Sequence, residues 1–139
     1  QISTNPGTPL GPLQKIASGG ELSRSSLALR VALSAATPLP TLIFDEVDAG
    51  VGGAVAAAVG RRLKRLGEKI QVLVVTHSPQ VAAEGHVHWK IVKDDTTGLQ
   101  RTAAKELAKT ERVEEIARML SGEMITEEAR AASLKLLEN

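Results

Sequence analysis

The sequence predicts an α/β fold with a mostly parallel sheet, flanking helices and an antiparallel hairpin at the edge of the sheet. Two apolar runs, at residues 41–44 and 70–76, are typical of strands that are buried on both faces. The helical pattern between them is joined to each run by a short link, which indicates a βαβ unit with parallel strands. A hairpin pattern and two helical patterns follow the second run.

The composition indicates a globular domain with an aliphatic core. Of 139 residues, 42% are hydrophobic, yet there is only one Trp, one Phe and no Tyr. The absence of cysteine excludes disulfides and thiolate metal sites, and it suits a reducing cytoplasm. A net charge of +1 gives no strong field, so composition alone makes no case for nucleic-acid binding. No apolar run in the sequence is long enough to span a bilayer.

Proline and glycine mark the limits of the first elements. Residues 1–14 contain three prolines and two glycines and are expected to form an irregular segment. A helix is predicted after residues 18–21 and should end at Pro38 and Pro40. One face of this helix is formed by Leu22, Ser26, Leu29 and Leu33.

The helix between the two strands is predicted to follow a glycine-rich turn at residues 48–53. Apolar residues recur along it at helical spacing: Val55, Val59, Leu63 and Leu66. Four cations lie on its exposed side: Arg61, Arg62, Lys64 and Arg65. We interpret them as a solvated surface that suits a helix C-terminus, with a nucleic-acid patch as the alternative.

The last third of the chain is predicted to form a hairpin and two helices. Residues 87–92 and 99–107 form the hairpin around a turn at 94–98. The next helix should run from about residue 111 to residue 120, with one face formed by Val113, Ile116, Ala117 and Leu120. The final helix has a cap and acidic residues in its first turn, namely Thr126, Glu127 and Glu128.

Two adjacent carboxylates, Asp45 and Glu46, follow the first strand. They would repel each other and resist desolvation unless a cation or a reacting group uses them, and ligands of open α/β sheets bind at this end of the strands. Asp45 would hold a hydrated Mg²⁺, and Glu46 would orient or deprotonate a water molecule. The alternative is a strand that simply continues into a polar loop.

Residues 18–21, with the sequence Ser-Gly-Gly-Glu, also have two interpretations. Ser18 and Glu21 can form a capping box that begins the helix. The paired glycines instead favour a phosphate site, because they let a ligand approach free backbone N–H groups at a positive helix end.

Asp48 and the histidines offer further polar groups. Asp48 is either a turn-forming residue or a contact across an interface. His77 follows the second strand and is either structural or close to the carboxylates, where it could donate a hydrogen bond to a phosphoryl oxygen. His86 and His88 are predicted to be surface residues, because no third metal ligand stands at a plausible spacing.

In this order, these segments resemble the carboxyl-terminal lobe of an ABC-type ATPase head. Residues 18–21 are similar to the signature motif, 41–46 to a Walker B strand with its glutamate, Asp48 to the D-loop aspartate, and His77 to the switch histidine. Glu21, where transporters commonly have glutamine, points to the SMC/Rad50 branch. Longer segments resemble the RecN family of bacterial SMC-like proteins of DNA double-strand-break repair: residues 4–7, 15–24, 44–48, 75–83 and 115–120.

The resemblance implies a mechanism in which two heads form a homodimer with two ATP molecules between them. Ser18, Gly19 and Gly20, with Glu21 in the same motif, would contact the γ-phosphate bound on the opposite head. On the same head, Asp45 would support Mg²⁺ through water, Glu46 would polarise the attacking water, and His77 would sense the γ-phosphate. A coiled coil would couple this cycle to DNA binding or end tethering in a cytoplasmic, nucleoid-associated protein without a membrane partner.

One departure from the family pattern is decisive for activity. No G-x-x-x-x-G-K-[ST] sequence is present, since residues 50–53 lack both the lysine and the spacing. We therefore expect residues 1–14 to lead in from a missing coiled coil and residues 15–139 to be half of a head. Such a lobe should be inactive without an amino-terminal Walker A lobe. The alternatives are a lobe of another SMC/Rad50-like or transporter ATPase, or a non-catalytic interaction module.

Overall fold

The structure, a computed structural model, describes residues 40–45, 47–48, 50–94 and 101–138. The predicted helix that contains Leu22 and Leu33 lies outside these residues, as does the irregular segment 1–14. The chain divides into two compact units, one that ends at Thr76 and one that begins at His77. In the part that the structure describes, no helix is both long enough and apolar enough to cross a membrane.

The first unit contains the predicted βαβ arrangement. Strand β1 (Thr41–Asp45) is followed by helix α1 (Gly53–Gly67) and strand β2 (Gln71–Val75). The two strands pair in parallel, from Thr41 opposite Gln71 to Asp45 opposite Val75. Helix α1 packs against β2. The parallel strand pair is therefore confirmed, and both strands end at the same edge of the sheet.

Burial in β1 differs from the prediction. Phe44 is 3% exposed, whereas its neighbour Ile43 is 64% exposed, and Val75 on β2 is 58% exposed. Because successive side chains of a strand point to opposite faces, one face of this sheet is open in the described part of the chain. The prediction that both faces of β1 are buried is therefore wrong for the face of Ile43.

Helix α1 is rotated relative to the predicted apolar stripe. Its buried residues are Ala56, Val59, Gly60 and Leu63, whereas Val55 is 41% exposed. With 3.6 residues per turn, the buried arc is centred about 90° from Val55 around the helix axis. Small residues at 56 and 60 lie within that arc, so the helix can approach its neighbours there, and Val55 falls at its margin.

The second unit contains a hairpin and three helices. Its elements are α2 (Pro79–Glu84), β3 (Trp89–Asp94), β4 (Arg101–Glu106), α3 (Lys109–Ser121) and α4 (Glu127–Leu137). The strands β3 and β4 are antiparallel, with Trp89 opposite Glu106 and Asp94 opposite Arg101. The predicted hairpin is thus confirmed. Among the described strands, β3 and β4 pair only with each other.

The three helices of this unit contact one another and form its core. Ile116 and Ala117 of α3 have no exposed surface, as predicted, and Val81 of α2 and Ala129 of α4 are 4% and 7% exposed. Helix α4 begins as predicted, because the hydroxyl Oγ1 of Thr126 accepts a hydrogen bond of 3.2 Å from the backbone N–H of Ala129.

Candidate functional site

The carboxyl ends of β1 and β2 position the first group of candidate residues. Asp45 is the last residue of β1, lies opposite Val75 and is exposed. Thr76 follows Val75 directly, so it leaves the sheet at the same edge. Glu46, the predicted water-activating residue, lies outside the described residues, and so do Ser18, Gly19, Gly20 and Glu21 of the predicted phosphate-binding motif.

Asp48 is buried next to this edge. Its carboxylate oxygen Oδ2 accepts a hydrogen bond of 2.5 Å from Oγ1 of Thr76, and the residue is 5% exposed. Its carbonyl accepts a bond of 3.3 Å from the N–H of Val51, and Gly50 in the turn has φ of 70°, which favours glycine. Asp48 therefore lies in the turn through its backbone, and its side chain ties the turn to the end of β2.

His77 is exposed and stands between two structured segments of the chain. Thr76 precedes it, and Ser78 follows as the N-cap residue of α2, with an extended backbone at φ −86° and ψ 120°. The carbonyl of Ser78 accepts a hydrogen bond of 3.0 Å from the N–H of Ala82, which begins the helix. The backbone on the carboxyl side of His77 is thus fixed by α2.

The prediction for His86 is confirmed and the one for His88 is wrong. His86 is exposed, whereas His88 is partly buried and its Nδ1 atom has no hydrogen-bond partner among the described residues. Burial lowers the pKa of His88, and the neighbouring charge of Arg112 lowers it further. His88 precedes β3 and lies near Arg112 and Glu115 of α3, so tertiary packing buries part of it.

The exposed carboxylate of Asp45 fits the donor set that Mg²⁺ prefers. This ion is commonly held by one or two carboxylates, several water molecules and phosphate oxygens of the substrate. Within the described ranges, no group of three or more His, Cys, Asp or Glu side chains could hold a metal by itself. A carboxylate at the open edge of a parallel strand pair is consistent with a metal that is bound together with a nucleotide.

Arg112 of α3 closes the carboxyl end of α2. Its Nη2 atom donates hydrogen bonds to the carbonyls of Ala82, Ala83 and Gly85, at 3.2, 2.7 and 2.5 Å. Burial lowers the pKa of this guanidinium from its ordinary value. The last carbonyls of a helix have no partner within the helix, and a cation there is favourable.

Glu115, one turn further along α3, is a buried carboxylate with two cationic partners. It is 8% exposed and accepts hydrogen bonds from Lys90 of β3 at 2.5 Å and from Arg118 at 2.6 Å. Burial opposes its ionisation, but these two hydrogen bonds outweigh that cost and lower its pKa. The bond with Lys90 joins the hairpin to the helical core.

Sequence reasoning missed Thr76, Arg112 and Glu115. Arg112 lies four residues before Ile116, so helical spacing alone places it on the buried side of α3. Thr76 is a polar residue at the end of an apolar strand, directly before His77, which is a weaker signal. The partners of Thr76 and Arg112 lie far away in sequence, as does Lys90, one partner of Glu115, and no local pattern reveals them. Arg118, the other partner of Glu115, lies three residues away on the same helix.

Comparison with known proteins defines the class. The family model described as the RecF/RecN/SMC N terminal domain matches residues 13–99, and the chain belongs to this family. It is 56% identical over 137 residues to the DNA repair protein RecN of Xylella fastidiosa strain 9a5c, covering 99% of this chain and 25% of that protein. It is 49% identical over 136 residues to RecN of Vibrio cholerae, covering 98% of this chain and 24% of the relative.

The predicted resemblance to RecN is confirmed by these relatives, of which the chain spans about a quarter. Solved structures agree on the fold. A chain from a study of ATP-driven dimerization and DNA stimulated activation of SMC ATPases matches with a TM-score of 0.64 and 20% identity, over 85% of this chain and 70% of that one. An Smc head domain with a coiled coil and joint from Pyrococcus yayanosii matches with a TM-score of 0.61 and 25% identity, over 72% of this chain and 19% of that one.

Proposed function

We propose that this chain is the carboxyl-terminal lobe of the ATP-hydrolysing head of a RecN-type protein of DNA double-strand-break repair. The observation that supports this most directly is the edge of the β1–β2 pair. An exposed carboxylate, Asp45, ends β1 there, and the buried Asp48 bonds to Thr76 at the end of β2, directly before His77. Similarity to RecN proteins over 98–99% of this chain, which corresponds to about a quarter of their length, supports the assignment to DNA repair.

In this proposal, one ATP lies at the edge of the same head. Asp45 would hold Mg²⁺ through water, and the ion when bound would neutralise charge on the phosphates. Glu46 accepts the proton of the water that attacks the γ-phosphorus, and the bond from that phosphorus to the oxygen of ADP breaks. His77 donates a hydrogen bond to a γ-phosphate oxygen. Catalysis of phosphoryl transfer depends mainly on such positioning and charge stabilisation.

A second ATP is bound on the opposite head and is contacted by the signature motif of this chain. Ser18, Gly19 and Gly20 contact its γ-phosphate, and Glu21 belongs to the same motif. ATP thereby joins two copies of the head, and hydrolysis separates them. This cycle is coupled through a coiled coil to DNA binding or to the tethering of DNA ends.

Hydrolysis requires an amino-terminal lobe with a Walker A sequence, because this chain lacks one. The test is therefore a reconstituted head, made from this chain and the Walker A part of a RecN relative such as that of Xylella fastidiosa. We expect Mg²⁺-dependent ATP hydrolysis by the mixture and none by either part alone. A Walker A part from an unrelated transporter should not restore activity, and restoration by it would contradict the RecN assignment.

Glu46→Gln tests the catalytic role within the reconstituted head. A positioned general base contributes about 10²–10⁴-fold, so hydrolysis should fall by that factor while ATP binding remains. Glu68→Gln, at the exposed C-cap of α1, is the matched control and should leave the rate unchanged. An unchanged rate in Glu46→Gln would favour a non-catalytic interaction module.

Ser18→Arg tests the contact with the opposite head. The arginine side chain is larger than serine and positively charged, so it should block ATP-dependent dimerisation, measured by light scattering. The fold of the single head should remain intact. Ser121→Arg, at the exposed end of α3, introduces the same side chain elsewhere and should dimerise normally. Normal dimerisation of Ser18→Arg would refute the role of the signature motif in trans.

A further inference from the structure

Helix α2 is too short to fix its own position. It has six residues, whereas isolated helices shorter than about 12–15 residues are marginal in water. It contacts α3 and α4, and its residues Val81 and Ala83 are 4% and 8% exposed. The orientation of α2 therefore depends on tertiary contacts, and these include a polar contact at its carboxyl end.

That polar contact is the guanidinium of Arg112. One nitrogen, Nη2, lies within 3.2 Å of three carbonyl oxygens at the end of α2. Such a group adds a donor for the carbonyls at the helix end, where the carbonyl of Ala82 also accepts a bond of 3.3 Å from the N–H of Gly85. Its positive charge complements the negative helix end. A planar guanidinium fixes direction as well as distance, which a flexible ammonium group does less well.

The opposite end of α2 lies next to His77 in the chain. Only Ser78 separates His77 from Pro79, the first residue of the helix. Proline fixes its own φ angle and restricts the residue before it to extended backbone, as the angles of Ser78 show. A change in the position of α2 is therefore transmitted to the backbone of His77 with little freedom to absorb it.

We propose that Arg112 is a positioning residue for His77, which it places through α2 without contacting the nucleotide itself. The proposal depends on the proposed function, because it assigns Arg112 a part in γ-phosphate sensing by His77. It adds a residue outside the predicted motifs, 35 positions after His77 in the sequence. Loss of the guanidinium should slow hydrolysis by displacing the histidine rather than by unfolding the lobe.

The first step of the proposal, that Arg112 holds α2 in place, is tested in the full chain by hydrogen–deuterium exchange. Arg112→Ala should speed exchange of the amides of α2 about tenfold or more, and Arg112→Lys should have a smaller effect. Arg130→Ala is the matched control, because Arg130 bonds to Glu114 and Glu127 on α3 and α4. Exchange in α2 that is equally fast in Arg112→Ala and Arg130→Ala would overturn the proposal.

The second step, that Arg112 supports ATP hydrolysis by placing His77, is tested in the reconstituted head. Displacement of a catalytic group by about 1 Å can cost about a hundredfold, so Arg112→Ala should lower kcat between tenfold and a hundredfold with KM nearly unchanged. Arg112→Lys should restore part of the rate, whereas Arg130→Ala should leave kcat unchanged. If Arg112→Ala does not fold, the same measurement is made on Arg112→Lys and Arg112→Gln. A lower kcat with a nearly unchanged KM is again the expected result.

A double mutant separates this inference from the proposed function. If Arg112 acts through His77, the variant His77→Ala with Arg112→Ala should hydrolyse ATP as slowly as His77→Ala alone. Additive losses would overturn the positioning role and leave the role of His77 intact. A wild-type rate in His77→Ala would refute the proposed role of the histidine and, with it, the need to position it.

Discussion

Replacing Thr76 by valine removes the hydroxyl that donates to Asp48 and preserves the branched shape of the side chain. The Oγ1–Oδ2 distance is 2.5 Å and Asp48 is only 5% exposed, so water cannot fully replace the lost donor. A hydrogen bond to a charged group contributes about 1.5–3 kcal/mol to stability. We expect Thr76→Val to lower the free energy of unfolding of the chain by about this amount.

The assay is equilibrium unfolding in urea, followed by circular dichroism. With a slope of about 1–3 kcal/mol per molar urea, the midpoint should fall by about 1 M. Thr76→Ser keeps the hydroxyl and removes one methyl group, so it should cost at most about 0.8 kcal/mol. In the reconstituted head, Thr76→Val should also slow hydrolysis, since Thr76 directly precedes His77.

Equal destabilisation by the serine and valine variants would refute this reasoning. It would mean that the hydroxyl contributes nothing beyond its packing, and that Asp48 is held in place by other contacts. A change in slope without a change in midpoint would also contradict it, because a lost hydrogen bond in the native state should leave the surface exposed on unfolding unchanged.

Three further predictions concern the second unit. Because the pKa of Glu115 is lower in the folded chain than its ordinary value of 4.5, ionisation of Glu115 stabilises the fold above pH 4.5. This stabilisation is lost as the pH falls through the lowered pKa. Glu115→Gln should therefore flatten the pH dependence of the free energy of unfolding in urea between pH 5 and pH 3. A dependence as steep as that of the wild type would count against its ion pairs with Lys90 and Arg118. Ile116→Ala, at a residue without exposed surface, should cost about 2–5 kcal/mol in the same assay, and a loss below 1 kcal/mol would show a poorly packed core. Thr126→Ala removes the side-chain cap of α4 and should cost about 0.5–2 kcal/mol, whereas Thr126→Ser should be nearly neutral; equal losses would contradict the capping role.

Local patterns in the sequence predicted the order of the described elements after residue 40, except for the short helix α2, which was not predicted. Apolar runs identified β1 and β2 because a short continuous run of branched residues is typical of a buried parallel strand. The Thr126 cap and the apolar face of α3 identified the last two helices. Start and end signals are local, so these predictions needed no knowledge of what each element contacts.

The sequence predicted the burial of individual side chains less well than it predicted the elements. The sequence stripe of α1 included Val55, but the observed core is centred on Ala56, Val59, Gly60 and Leu63. Ile43 was expected inside and is 64% exposed. Hydrophobicity predicts that a side chain prefers burial, but which face is covered depends on neighbouring elements.

The sequence by itself determined the α/β class, the βαβ unit, the hairpin and the candidate residues Asp45, Asp48 and His77 at strand ends. Only the tertiary structure decided that Asp48 is bonded to Thr76, 28 positions away, and that Arg112 is bonded to Ala83, 29 positions away. The physical reason is that helix and strand periodicity are set by neighbours within a few residues. A buried charge, in contrast, is stable only with partners that the folded chain supplies from a distance.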